Sequence, residues 1–169
     1  SQEDVLSRIY NLCLNFKCQN IVRINGDCPF IDSKLIDEIV EEHLLGDCDY
    51  TSNIIEDSFP VGMHIETINF KAIEKAFKYS KLKVEREHVT PYIYNRPNVF
   101  KINSIISRTN NSDLRVCIDF PEDFEMAKKL INETGDKLLE VNDLVKIIRN
   151  NENLLNLCSR FKKKQSIKY

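Results

Sequence analysis

The run NIVRINGDCPFID, Asn20 to Asp32, decides how the rest of the chain is read. Ile21, Val22 and Ile24 form a short β-branched run, the signature of a buried strand in a parallel sheet. The run stops at Asn25-Gly26, a turn signal, so Asp27 falls just past the strand's carboxyl end. Pro29 and then Asp32-Ser33 follow, and the latter pair supplies a cap for the next helix. Open α/β sheets bind ligands outside the carboxyl ends of their strands. A carboxylate there, beside a glycine that lets other groups approach, suits a metal ion or a hydroxyl. Asn25 to Asp27 fit a plain polar turn equally well.

Upstream, Val5, Ile9, Leu12, Cys13 and Phe16 recur at helical spacing, so a helix leads into the strand. A single parallel strand has no partner of its own, and the sheet is expected to need more strands. Downstream, Leu35, Ile36, Ile39, Val40 and Leu44 mark an amphipathic helix closed by Gly46, with His43 read as solvated surface. Asp49 to Asn53 reads as a short strand, and the alternation in His64 to Ile68 as a half-buried one. Phe70, Ile73, Ala76 and Phe77 return to helical period. Glu85-Arg86-Glu87-His88 is a dense polar cluster beside an apolar-aromatic segment, and reads either as a solvated face or as a docked site. Lys101 to Ser107 reads as a strand.

Leu114 to Ile118 forms another apolar strand that ends in an aspartate, Asp119. Pro121-Glu122-Asp123 then opens a helix, with Phe124, Ala127, Leu130 and Ile131 on its apolar face. Asp119 is either a second ligand-binding carboxylate or a helix cap paired with Glu122. Val141 to Leu157 reads as one helix, and Arg160 to Lys164 as a basic tail.

With 169 residues, 42% hydrophobic and 30% charged, the chain is one soluble domain with a sizeable core. A net charge of -2 argues against a general nucleic-acid binder. No apolar run approaches the roughly 20 residues that span a bilayer, and no signal pattern opens the chain, so a cytoplasmic location is expected. The six cysteines lack C-x-x-C spacing and read as free buried thiols.

Three motifs, Ile21 to Asp32, Arg86-Glu-His-Val-Thr-Pro-Tyr92 and Leu114 to Phe124, occur in an order that resembles the spore-coat-polysaccharide type of cytidylyltransferase. That type is related to the acylneuraminate and 3-deoxy-manno-octulosonate cytidylyltransferases. The resemblance implies a three-layer α/β/α nucleotide-diphospho-sugar transferase fold with a mainly parallel sheet, truncated at its N-terminus. Residues 1–169 would be the C-terminal two-thirds of the family domain. It implies transfer of CMP from CTP to a sugar or sugar acid, with Mg2+ bound by Asp27 and Asp119 and His88 near the sugar. Arg23, Asn25, Gly26, Arg86, Glu87 and Arg115 are the further substrate-binding candidates that it carries. A homodimer is the default expectation.

The sequence departs from this pattern twice. The family's glycine- and basic-rich phosphate loop has no counterpart here, so these residues alone are expected to be inactive and to expose apolar surface. Val61 and His64 stand where the family usually has acidic residues, which bears on the choice of sugar. Two other functions fit: a non-catalytic or split-chain binding module of the same fold, and a related transferase that uses a different donor.

Overall fold

A computed structural model describes residues 4–135 and 137–159, so the expected basic tail lies outside the described residues. The α/β class holds. The described residues give α1 (Val5–Phe16), β1 (Asn20–Arg23), α2 (Ser33–Leu45), β2 (Tyr50–Ser52) and β3 (Glu66–Asn69). They continue with α3 (Phe70–Tyr79), α4 (Lys83–His88), α5 (Pro91–Tyr94) and β4 (Ile102–Ser104). Three helices finish the fold: α6 (Pro121–Thr134), α7 (Val141–Asn150) and α8 (Glu152–Ser159).

The strands form one mixed sheet in the order β1-β3-β2-β4. β3 runs antiparallel to both of its neighbours, while β2 and β4 are parallel. Three strands therefore share a direction and β3 is the one reversed strand. The register places Glu66, the first residue of β3, opposite Arg23 and Ser52, the last residues of β1 and β2. Ser104, the last of β4, lies opposite Ser52. One edge of the sheet thus collects three carboxyl ends and one amino end.

β1 corrects the reading of a buried parallel strand. It pairs only with β3, so it is an edge strand in the described sheet, and Val22 and Ile24 remain 43% and 37% exposed. β3 is buried on both faces instead, because strands flank it on both sides and helices cover it. Leu114 to Ile118 is extended but forms a single bridge, Arg115 to Val61, rather than a strand. The expected helix over Val141 to Leu157 is two. It breaks at Asn151, whose side chain accepts from the backbone N–H of Asn153 and Leu154 and restarts the turn as a cap.

Two cores flank the sheet. α1, α3 and α5 bury Leu6, Ala72, Ile73, Ala76 and Ile93 against Tyr50 and Ile68 on one face. On the other, Leu35 and Ile39 of α2 join Met63, Ile65, Leu114 and Val116 and the apolar faces of α6, α7 and α8. His43, read as surface, is 2% exposed. Its Nε2 lies 3.2 Å from Asn20 Oδ1 and its Nδ1 3.0 Å from Thr51 Oγ1. A carboxamide oxygen only accepts, so the ring proton sits on Nε2 and the Thr51 hydroxyl donates to Nδ1. Burial lowers its pKa, against the pull of Asp49 and Asp47, and the ring staples α2 to β1 and β2.

Candidate functional site

The turn after β1 is closed by the Cys28 N–H donating to the Asn25 carbonyl at 3.3 Å. Asn25 and Gly26 are exposed and Asp27 is partly buried. A side chain at Gly26 would meet nothing within 4 Å, so this glycine marks open space rather than a backbone that only glycine adopts. Asp32 caps α2 by accepting from the Lys34 and Leu35 N–H groups, and its other oxygen accepts from Val141 at the start of α7. The Asp27 turn is therefore tied to a rigid frame.

The Asp119 segment meets this turn directly. The Ile118 N–H donates to the Asp27 carbonyl at 2.9 Å, although 91 positions separate them. Cys28 and Cys117 flank the two aspartates, and their thiols lie 3.5 Å from Asp27 Oδ1 and 3.8 Å from Asp119 Oδ2. Burial pushes both thiols up to about 12, and the charges of Asp27 and Asp119 act in the same sense on each. Both remain protonated near neutral pH, so they offer neither a nucleophile nor a thiolate ligand. What the site presents is a pair of hard carboxylates.

Asp119 is not the helix cap. Phe120 occupies that position, and Asp123, not Glu122, reaches back to the N–H groups of Asp119 and Phe120 at 2.9 and 3.1 Å. Asp123 is 3% exposed and also holds Arg115 at 3.1 Å, while a second Arg115 bond reaches Asp119. Burial opposes the Arg115 charge, but Asp123 and Asp119 more than offset it and its pKa is raised. In the sequence Asp123 reads only as one of the acids that open the helix. Its position three residues into the helix, the usual place for a residue that reaches back to the cap, was the available signal.

The remaining candidates lie elsewhere in the frame. Arg23 pairs with Glu66 across the β1–β3 register, and Glu66 also accepts from the Tyr50 hydroxyl at 2.7 Å. The Arg23 guanidinium thus neutralises a buried carboxylate. Arg86 binds the Phe77 carbonyl at 2.9 Å and Asp4 at 2.5 Å, and stacks on the Phe77 ring. Hydrogen bonding from Arg86 lowers the Asp4 pKa, with desolvation opposing it. It ties α4 to α1 and α3. Glu87 is exposed. Glu85, their neighbour, is buried and paired with Arg96 at 2.8 Å.

His88 ends α4, and the next residue takes an unusual shape. Val89 sits at φ 74, ψ -59, fully buried, with the Thr90 N–H donating to the His88 carbonyl at 2.9 Å. That is a γ-turn at a β-branched residue, a strained conformation that costs on the order of 1–3 kcal/mol. It turns the chain sharply behind His88 and fixes the backbone that carries the ring.

Asp27 and Asp119 also fit magnesium by donor chemistry. Mg2+ takes oxygen ligands and usually only one or two protein carboxylates, with water and phosphate completing its shell. Among the described residues no cluster of three or more histidine, cysteine or acidic side chains is arranged to hold a metal, so an all-protein cage is not what these residues form.

The profile of a family described as cytidylyltransferase matches residues 1–155. Protein MJ1063 of Methanocaldococcus jannaschii is 35% identical over 168 residues, spanning 97% of this chain and 67% of that protein. The spore coat polysaccharide biosynthesis protein SpsF of Bacillus subtilis is 28% identical over 155 residues, 89% of this chain and 63% of that one. A solved cytidylyltransferase structure from Leptospira borgpetersenii superposes with a TM-score of 0.86 at 31% identity, covering 90% of this chain and 65% of its own. The chain thus spans about two thirds of the length of the relatives it matches. It belongs to the cytidylyltransferase family.

Proposed function

We infer that the protein takes part in transferring CMP from CTP to a sugar hydroxyl, releasing pyrophosphate, in the synthesis of a surface polysaccharide or glycan. The observation that carries this reading is the direct pairing of the Asp27 and Asp119 segments at the sheet edge, in a chain of this family. In the reaction the sugar oxygen bonds to the α-phosphorus, the bond to the β-phosphate's bridging oxygen breaks, and the hydroxyl proton passes to a base. Asp27 and Asp119 would hold Mg2+, which when bound supplies charge neutralisation for the triphosphate and the leaving pyrophosphate.

The chain's own groups set up that site. Asp123 holds Arg115, and Arg115 holds the Asp119 carboxylate on the segment that pairs with Asp27. The backbone bond between the two segments brings Asp27 and Asp119 into the same neighbourhood, and carboxylates drawn together favour a cation between them. His88 serves the acceptor sugar, and a sugar acid is the acceptor class that the family resemblance favours. The test is calorimetry and pyrophosphate release on the full-length protein that carries these residues. CTP with Mg2+ should bind, and pyrophosphate should appear on addition of an acceptor sugar. CTP that binds equally well without a divalent cation, or in an Asp27→Asn, Asp119→Asn variant, would sink the assignment.

A further inference from the structure

The residues just before β3 carry a histidine whose backbone is fixed on several sides and whose ring is not. Gly62 sits at φ +103, and a Cβ there would meet the Cys117 nitrogen at 2.7 Å and the Val116 carbonyl carbon at 2.9 Å. Only glycine allows the 60–65 segment to lie this close to the segment that leads to Asp119. Val61 clasps the same segment, donating to the Leu114 carbonyl at 2.9 Å and accepting from the Val116 N–H at 2.7 Å. On the other side, the buried Asn53 amide brackets His64. Its Nδ2 donates to the Met63 carbonyl at 2.7 Å and its Oδ1 accepts from the Ile65 N–H at 2.8 Å. A side chain there does the work of a neighbouring strand.

The His64 imidazole, only partly buried, makes no hydrogen bond or ion pair among the described residues. Burial holds its pKa below the ordinary histidine value, against the pull of Glu66, Asp57 and Asp27, so it is neutral at pH 7. A neutral imidazole offers one donor and one acceptor. The negative charges of Glu66, Asp57 and Asp27 acting on the ring make a poor seat for an anionic group and a better one for a hydroxyl, which both donates and accepts. A group held rigidly from behind and left unpaired in front has the arrangement of a ligand contact.

We propose that His64 is a specificity-determining residue that hydrogen-bonds a neutral hydroxyl of the acceptor sugar beside Asp27, an inference that rests on the cytidylyl-transfer reading. The experiment uses the full-length protein with its histidines ring-labelled with carbon-13, the His64 signal assigned through His64→Gln. CTP with Mg2+ is added first, then N-acetylneuraminate, 3-deoxy-manno-octulosonate and mannose in turn. The His64 ring should respond to at least one of the sugars and not to the nucleotide alone. His64→Ala should weaken that sugar about three- to tenfold, with CTP affinity unchanged. His64→Gln, which keeps a donor and an acceptor, should recover most of the loss, and melting curves confirm that both variants fold. A ring that no sugar moves, or sugar affinity unchanged in His64→Ala, overturns the proposal while leaving cytidylyl transfer standing. Wild-type protein that fails to bind CTP with Mg2+ at all overturns the reading beneath it, a different and separable outcome.

Discussion

A histidine lies near each end of β1, His43 from α2 and His64 from the segment before β3, and the two are bonded differently. At the start of the strand His43 bonds both ring nitrogens, to Asn20 and Thr51, deep between α2 and the sheet. Beyond the other end, His64 has its flanking peptides bonded by Asn53 and its ring left unpaired among the described residues. Both rings are held below the ordinary histidine pKa by burial. The contrast teaches that a depressed pKa does not separate a structural histidine from a ligand-facing one. The hydrogen-bond inventory around the ring does.

The largest effect should come from the support of the far end. Asp123→Ala removes one carboxylate partner of the buried Arg115 and the acceptor of two backbone N–H groups. Breaking a buried pair by removing one partner costs about 3–5 kcal/mol, and a drop of that order is expected in urea or thermal unfolding. A loss under about 1 kcal/mol would mean that Arg115 needs no fixed partner there, and that this end is less rigid than the contrast requires.

Asp119→Asn comes next, with its effect on activity rather than stability. The amide keeps the shape but loses the charge, and pyrophosphate release in the full-length enzyme should fall roughly 100-fold or more if the carboxylate holds a cation. Asp27→Asn should do the same, and the double change should add little to either. Near-normal release from Asp119→Asn would reduce this aspartate to a partner for Arg115.

Why position alone points to Asp27 and Asp119, whereas His64 stands out only as a departure from the family pattern, has a physical answer. A strand's direction fixes where its carboxyl end lies whichever way its neighbours run, so Asp27 was legible even though β1 turned out to be an antiparallel edge. Parallel neighbours, which the β-branched run suggests, would put strand-end chemistry at carboxyl ends. β3 is reversed, which carries its amino end, with His64 and Glu66, to the same edge. Nothing in a four-residue strand announces its direction. Arg23 and Arg86 were legible as charges but not as partners, because Glu66 and Asp4 lie 43 and 82 positions away. His43 was misread because its acidic neighbours on the helix suggested solvent, while its own face turned inward.

His43 supplies the third prediction, at the saturated end. His43→Ala deletes two hydrogen bonds, leaves Asn20 and Thr51 without their partner, and opens a cavity beneath α2. A loss of about 1–3 kcal/mol is expected at pH 7.5, measured by urea unfolding. If stability barely changes, the staple between α2 and the sheet is ornamental and the contrast between the two ends collapses.

The smallest effect, and the sharpest test of the contrast, lies in how stability responds to acid. Both histidines have folded pKa values below the unfolded value of 6.5, with burial as the leading cause. Below pH 6.5 the unfolded chain therefore binds more protons than the folded one, and stability falls as the pH drops toward the folded pKa values. Asp49 and Asp47 face His43, and Glu66, Asp57 and Asp27 face His64; these carboxylates limit both shifts without reversing them. For His43 the proton on Nδ1 would also turn the Thr51 hydroxyl from donor to acceptor, whereas for His64 it would alter no bond that the described residues make. Removing either ring should therefore flatten the acid limb between about pH 6.5 and 5. At pH 7.5, however, His64→Ala should change stability by less than about 0.5 kcal/mol, because it deletes no hydrogen bond. The measurement is urea unfolding of His43→Ala and His64→Ala at pH 7.5 and 5.5. Equal losses for the two variants at pH 7.5 would show that His64 is bound into the fold after all, and its ring would no longer be available to a ligand.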